Sequence, residues 1–319
     1  MTHLKFVTLD VFTSTPYSGN PLAVVFLPED GSSALTQNQK QTIAREFNLS
    51  ESIFVHPVGS DKSKRTIDIF TTDCEIPFAG HPTIGAASWF LSHSADPADG
   101  TNVTTLATKS GDIPISVQDS ATNYVAAQIA HNTHIHAARF PLKELLRLHP
   151  TLAPFFPQQD VTFPLFSIVN GMSQLFIELP SLEALGAVTP ATGGELISAA
   201  NTDYLDEGWR AGLVCVYFIV RDVEDDVTKQ KVIRSRMMLG NLEDPATGSS
   251  ASGLAAYLAL TEGKAGQYQH HHVVQGVEMG RRSDIGVGVT LDGEKKIQQV
   301  VLTGSAVSVS EGKVLVPQA

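Results

Sequence analysis

Two stretches of the chain set acid–base side chains beside a glycine turn. EIPFAGHPTIGAASWF begins at Glu75 and carries His81 directly after Gly80; EDPATGSSASGLAAYL begins at Glu243 and carries Asp244, Thr247 and Ser249 around Gly248. A histidine and a carboxylate can pass protons near neutral pH, and backbone N–H groups opening a helix can receive an anion. Binding of an anion, carboxylate or phosphate, beside acid–base side chains is the chemistry these groups could share. The two stretches also match each other: Glu75/Glu243, Pro77/Pro245, Gly80/Gly248, Gly85/Gly253 and Ala87/Ala255 are all separated by 168 positions. Five identities at one ungapped offset mark an internal duplication.

The elements that must position these groups follow from the same stretches. Pro82–His93 and Ser249–Thr261 contain no Asp, Glu, Lys or Arg. A helix with no charged face has no side to show water, so each is expected to be buried all round, as the centre of its own domain. Pro82 suits a first helical turn, and Thr247 or Ser249 suits an N-cap. The N–H groups near Gly80–Thr83 and Thr247–Ser250, at the positive ends of the two helices, are the expected carboxylate-binding groups. Gly80, Pro82, Thr83, Thr247, Gly248, Ser249 and Ser250, at and around these helix starts, are the candidate substrate-binding residues. If the halves are related by a pseudo-twofold, the two helix starts face each other across a cleft. GHPTIG and GSSASG lack the lysine of a phosphate-binding loop, and neither is a G-x-G-x-x-G turn, which disfavours nucleotide binding.

Short alternating segments bounded by turn residues predict strands at Leu4–Phe12, Leu22–Leu27, Ser52–His56, Thr66–Phe70, Ile113–Gln118, Gln174–Leu179, Leu213–Arg221, Val273–Glu278, Gly286–Leu291, Gln298–Leu302, Ala306–Ser310 and Lys313–Val316. Further helices are expected at Thr36–Phe47, Leu142–Leu148 and Glu195–Ala200. The Pro-rich run His149–Pro164 and the polar 96–102 and 118–123 stretches read as connections. With 319 residues the chain exceeds the usual size of one core. The expected division is an N-terminal domain over 1–120, completed by a last strand at about 306–319, and a C-terminal domain over 121–305.

Composition narrows the function classes. A net charge of −11 argues against a protein that neutralises phosphate backbones, which would need a basic surface stripe, so no nucleic-acid partner is expected. Cys74 and Cys215 form neither a C-x-x-C nor a disulfide pattern, so a reducing compartment fits. The N-terminal MTHLKFVTLDVF has no leader pattern, and the longest apolar run, Leu213 to Val220, is far short of a bilayer span. A cytoplasmic protein without a membrane anchor is expected. His131, His134 and His136, and His270 to His272, invite a metal reading. Neither cluster has a carboxylate nearby in a strong spacing, and adjacent histidines on a strand point to opposite faces. They read as surface or interface histidines, with a zinc hydrolase as a minor alternative and no metal expected.

DVFTSTPYSGNPLAVV from Asp10, AREFNLSESIFV from Ala44, the two repeated stretches, and VVQGVEMGR from Val273 resemble, in order, the successive motifs of the PhzF phenazine-biosynthesis-like family. The resemblance implies an α+β, diaminopimelate-epimerase-like fold: two pseudo-symmetric domains, each a barrel-like, mostly antiparallel sheet around a central helix, with the active site in the cleft between them. It also implies a cofactor-independent isomerase, commonly homodimeric, that moves a proton on a small carboxylate-bearing substrate. The family's catalytic glutamate falls on Glu51, its histidine on His81 and its aspartate on Asp244; by itself Glu51 would read as a solvated acid. Asn20, in GNP, reads equally as a substrate amide or a loop amide. Burial is expected to lift the Glu51 pKa towards neutrality. One dominant base favours a same-face hydrogen shift; Glu51 opposed by Asp244 would favour epimerisation. A catalytically silent binding module on the same scaffold is the alternative from another class.

Departures from the family pattern accompany the matches. Ala79 and Thr247 stand where two-thiol epimerases of the fold carry cysteines, which excludes two-cysteine racemisation. Cys74 reads as a small core residue. Asp68 replaces a common basic residue, and Arg281 with Arg282 replaces the usual Arg-Pro; both differences put the substrate in question.

Overall fold

The computed structural model describes residues 2–28, 35–96, 99, 102–158 and 160–318. Contacts divide the chain into one unit of Met1–Ile129 with Leu302–Ala319, and a second of Ala130–Val301. The 118–123 stretch, read from sequence as a connection, is the tight turn between strands Gly111–Asp119 and Tyr124–Gln128 of the first unit. Asp119 accepts the Ala121 N–H and Asn123 adopts the left-handed conformation that closes it.

In the first unit, strand His3–Val11 pairs antiparallel with both Asn20–Phe26 and Ala306–Leu315. The latter is one continuous strand, not two, with a bulge opposite Thr8 and Leu9. Asn20–Phe26 runs parallel to Glu51–Val55, which is antiparallel to Lys64–Phe70; that strand takes the two-residue Glu75–Ile76 antiparallel and Thr105–Thr108 parallel. Helix α1, Gln37–Phe47, crosses between the parallel pair, opened by a capping box of Thr36 and Gln39. It covers one sheet face, where Ile43 and Ala44 pack on Leu4, Val25, Phe54 and Phe70. Helix α2, Gly80–Ser88, fills the other face, every residue buried, and its last turn widens into a π-turn at Trp89–His93.

The second unit repeats this connectivity. Thr162–Val169 pairs antiparallel with His134–Pro141 and Met172–Glu178, the latter runs parallel to Leu213–Glu224, and Leu213–Glu224 is antiparallel to Lys231–Leu239. Lys231–Leu239 takes the three-residue Leu242–Asp244 antiparallel and Tyr268–Gln275 parallel. Helices α3, Leu142–Leu148, and α4, Leu182–Gly186, cover the outer core of Leu145, Leu165, Leu175, Phe218 and Met238. Helix α5, Gly248–Glu262, is the counterpart of α2, buried from Gly248 to Ala259 except at Tyr257. The duplication therefore extends from the two repeated stretches to whole units: each has a mostly antiparallel sheet, one buried central helix, and a short strand leading into that helix. This is the fold that the resemblance implies.

The repeated glycine in each central helix lies where helix and sheet approach closely. A Cβ on Gly85 would stand 2.3 Å from Leu22 Cδ2 and 3.0 Å from Val11 Cγ2; one on Gly253 would stand 2.6 Å from Gln174 Oε1. A side chain at either position would force these neighbours to move.

Several sequence expectations differ from the structure. Thr162–Val169, inside and beyond the Pro-rich run, is a strand, and Pro164 sits beside a bulge where no ladder donor is needed. Glu195–Ala200 is not helical: Gly193 and Gly194 turn the chain with positive φ, and Glu195 is spent in a bidentate pair with Arg147 of α3. Cys74 is exposed in the turn closed by Thr71 rather than in a core, whereas Cys215 is buried. Among the described residues no helix is long and apolar enough to cross a membrane.

Candidate active site

Glu51 opens its strand four residues after α1 ends at Phe47; between them Asn48 takes the left-handed conformation and returns its N–H to Ala44. Side chains alternate across a strand. Ser52 and Phe54 sit with Ala23 and Val25, on the α1 side, so Glu51 and Ile53 sit with Leu22 and Val24, on the α2 side. There Glu51 Oε2 meets His81 Nδ1 at 2.9 Å. His81 is the second residue of α2 and its side chain is 3% exposed, against 19% for Glu51. The structure thus joins two residues thirty positions apart.

The electrostatics of this pair correct one expectation. Burial does push the Glu51 carboxyl upward, but the His81 hydrogen bond, the His81 charge and the Ser50 hydroxyl together outweigh it and hold the pKa below the ordinary glutamate value. Glu51 therefore rests ionised, held there by its partner. His81 Nε2 is buried and has no hydrogen-bond partner among the described residues. Asn20, buried, accepts the Ser50 hydroxyl on its Oδ1 at 3.3 Å.

The entry to α2 is uncapped by any side chain. Ala79 is its N-cap residue, and Thr83, in the first turn, turns both its N–H and its hydroxyl back to the Ala79 carbonyl. Gly80 and Pro82 are buried beside it.

In the second unit Asp244, 9% exposed, ends its short strand, and its Oδ2 accepts the Thr247 hydroxyl at 2.5 Å. Thr247 occupies the N-cap position of α5, yet its hydroxyl does not cap; Asp244 takes it. Ser249 gives no cap either, and Ser250 Oγ is buried without a partner among the described residues. Around them lies a network that the sequence reading did not single out. Gln275 Nε2 donates to the Asp244 carbonyl (2.7 Å) and Thr247 Oγ1 (3.0 Å), and its Oε1 accepts the Thr247 N–H (3.3 Å) and the Tyr217 hydroxyl (3.1 Å). Tyr217 also meets Ser235 at 3.0 Å; burial pushes its phenol well above the ordinary value, Ser235 opposes this, and the Asp244 charge adds to it. The available signal was polar residues, Tyr217 and Gln275, inside or ending apolar strands.

The acids at the shared offset do not join either group. Glu243 forms a bidentate pair with Arg236, which also donates to the Leu185 and Val188 carbonyls; Glu75 pairs with Lys109 and Gln37. The departures from the family pattern are structural too. Asp68 is opposite Phe54, on the α1 face away from Glu51, bonded to Lys40 (2.5 Å) and His56 (2.8 Å). Arg282 is saturated by Asp225 and Asp284.

The histidine clusters part company. His271 bonds Gln269 and His272 bonds Asp284, both within the Tyr268–Gln275 and Ser283–Leu291 hairpin. His131 reaches the Ile297 carbonyl. His134 and His136, in contrast, converge on Asp206. Burial, chiefly, and the neighbouring His134 charge lower His136 to about 4, against the opposing pull of Asp206.

Comparison with known proteins adds three findings. A family model described as phenazine biosynthesis-like protein matches residues 9–312. The chain is 33% identical to the trans-2,3-dihydro-3-hydroxyanthranilate isomerase of Pseudomonas fluorescens over 88% of each chain, and 30% identical to a protein of Mesorhizobium japonicum named an uncharacterized isomerase, over 98% of this chain and 99% of that one. A crystal structure of a PhzF-family phenazine biosynthesis protein from Bacillus anthracis superposes with a TM-score of 0.73 at 23% identity, covering 99% of this chain and all of that one.

Proposed function

The chain belongs to the phenazine biosynthesis-like family and is an isomerase; we propose that it moves a proton on a small carboxylate-bearing substrate without a cofactor, with Glu51 as the base. The observation that carries this reading is the Glu51–His81 pair, a carboxylate held ionised by a buried imidazole whose other nitrogen has no partner among the described residues. An ionised carboxylate accepts a proton without first losing one. Its depressed pKa makes it a weak base, so the substrate carbon must be acidified by conjugation to a carboxylate or an adjacent amine. The N–H groups of Gly80, Gly248, Ser249 and Ser250 at the helix starts are assigned to stabilise the negative charge that then develops, and Pro82, Thr83 and Thr247 are assigned to substrate binding as residues that shape the site. The Glu51 carboxylic acid so formed returns the proton at a second carbon, and the carboxylate is restored.

His81 stabilises the ionised state at both ends of the cycle, and Asp244 is assigned as the second acid–base group. The tie from Thr247 to Asp244 favours a hydrogen shift by one base over inversion by two. A dihydro-hydroxyanthranilate-type diene, the substrate class in the name of the Pseudomonas fluorescens relative, has the conjugated carboxylate and amine that the weak base requires.

The test is turnover of trans-2,3-dihydro-3-hydroxyanthranilate, and of a panel of cyclic and acyclic amino and hydroxy acids, by purified protein without additives, followed by mass-resolved chromatography. Conversion of one member to an isomer of equal mass is expected. Tight binding of a member with no conversion of any would instead mark a binding module.

A further inference from the structure

We propose that His134, His136 and Asp206 form a binding site for a borderline divalent metal ion of the zinc class, separate from the Glu51–His81 pair and independent of the isomerase reading. His134 and His136 are two residues apart on one strand and so share a face; Asp206 arrives from the connection that follows α4. One donor atom from each lies within 4.8 Å of the others, and this is the one such group among the described residues. His134 Nε2 is 2.7 Å and His136 Nδ1 is 3.9 Å from Asp206 Oδ2. Donors on a tetrahedral ion with bonds of about 2.0–2.1 Å are roughly 3.4 Å apart, so side-chain shifts of under an ångström would complete the arrangement. Two imidazoles and one carboxylate leave a position open to water.

Each donor is also held from behind, as metal ligands are. His136 Nε2 meets the Ser167 hydroxyl at 2.9 Å, and Ser167 in turn meets Ser173 at 2.7 Å. The Ala137 N–H lies 3.2 Å and 3.4 Å from the two Asp206 carboxylate oxygens. Trp209 stacks on the His134 ring at 4.8 Å and 11°. Entry of the ion replaces two contacts: the proton between His134 and Asp206, which His134 then carries on Nδ1, and the Asp206 N–H that now reaches His136 Nδ1 at 3.1 Å. The bound ion would clip the 203–209 segment to the sheet.

The test uses protein freed of metal by a chelator, then dialysed against Zn2+ with elemental analysis. One Zn2+ per chain is expected for the wild type and for His271→Ala, with affinity reduced about tenfold or more in His134→Ala and in the size-conserving Asp206→Asn. In a Trp89→Phe background, leaving Trp209 as the sole tryptophan, Co2+ should quench emission, and Asp206→Asn should abolish the quenching. Absence of Zn2+ binding by the wild type, or binding that survives both His134→Ala and Asp206→Asn, overturns the proposal; so does loss confined to His271→Ala. Should His134→Ala not fold, Asp206→Asn and the quenching decide.

Discussion

Replacing His81 by leucine removes the partner that keeps Glu51 ionised while preserving most of the buried volume. A hydrogen bond to a charged group contributes about 1.5–3 kcal/mol. Its loss raises the Glu51 pKa, because the burial that already pushes it upward is then opposed by Ser50 alone. The sign for stability follows. In the wild type the folded pKa lies below the 4.5 of the free side chain, so the contribution is fully present above pH 4.5 and is lost as pH falls through the folded value. In His81→Leu the folded pKa moves above its wild-type value, and the stability deficit, about 1.5–3 kcal/mol at pH 7, shrinks on acidification. Urea unfolding of both proteins between pH 3.5 and 7 measures this, and Glu51→Gln in both backgrounds should make the deficit independent of pH. The acid limb of kcat/KM should move to higher pH with it. His81→Asn, whose amide can place a donor near the former Nδ1, should shift it less. An unmoved acid limb together with a pH-independent deficit would refute the electrostatic role given to His81.

Two further substitutions test the frame around the site. Gly85→Ala drives a methyl into Leu22 and Val11 and should cost about 1–3 kcal/mol in urea unfolding, with partial recovery in Gly85→Ala/Leu22→Ala; full stability of the single variant would contradict the close approach. Arg236→Leu leaves the Glu243 carboxylate without its bidentate partner and should destabilise by about 3–5 kcal/mol, much of which Arg236→Leu/Glu243→Leu restores. Equal stability of the single and double variants would show that the charge left behind does not matter.

The parts of this fold that were legible in the sequence are those with a local cause. Uncharged runs behind Gly80 and Gly248 announce buried helices because no residue in them tolerates or seeks water, and Thr36 with Gln39 announces a helix start. The common offset announces a repeat, which the strand pairings of the two units reproduce one by one. What was not legible depends on distant partners. Whether Glu51 is solvated or buried is decided by the face on which its strand sets it and by His81 thirty residues later. The depressed Glu51 pKa arises from that partner, where burial alone would have raised it. Gln275 gains meaning only when Tyr217, Asp244 and Thr247 surround it. Asp206 lies seventy positions from His136, so no spacing rule finds that carboxylate. Pro164 argued against a strand because the bulge that accommodates it is a property of the pairing.

Incorporation of solvent deuterium tests the central claim most directly. Wild-type protein and Glu51→Gln are incubated in heavy water with the substrate found by turnover, and the position of the label is read by mass spectrometry and NMR. A base that removes and returns protons by way of Glu51 predicts isomerisation by the wild type, with label at the carbon that gains the proton in the fraction of turnovers in which the Glu51 acid exchanges with solvent before returning it, and neither label nor isomerisation from Glu51→Gln. Isomerisation and labelling that persist in Glu51→Gln would contradict the account and pass the role of base to Asp244.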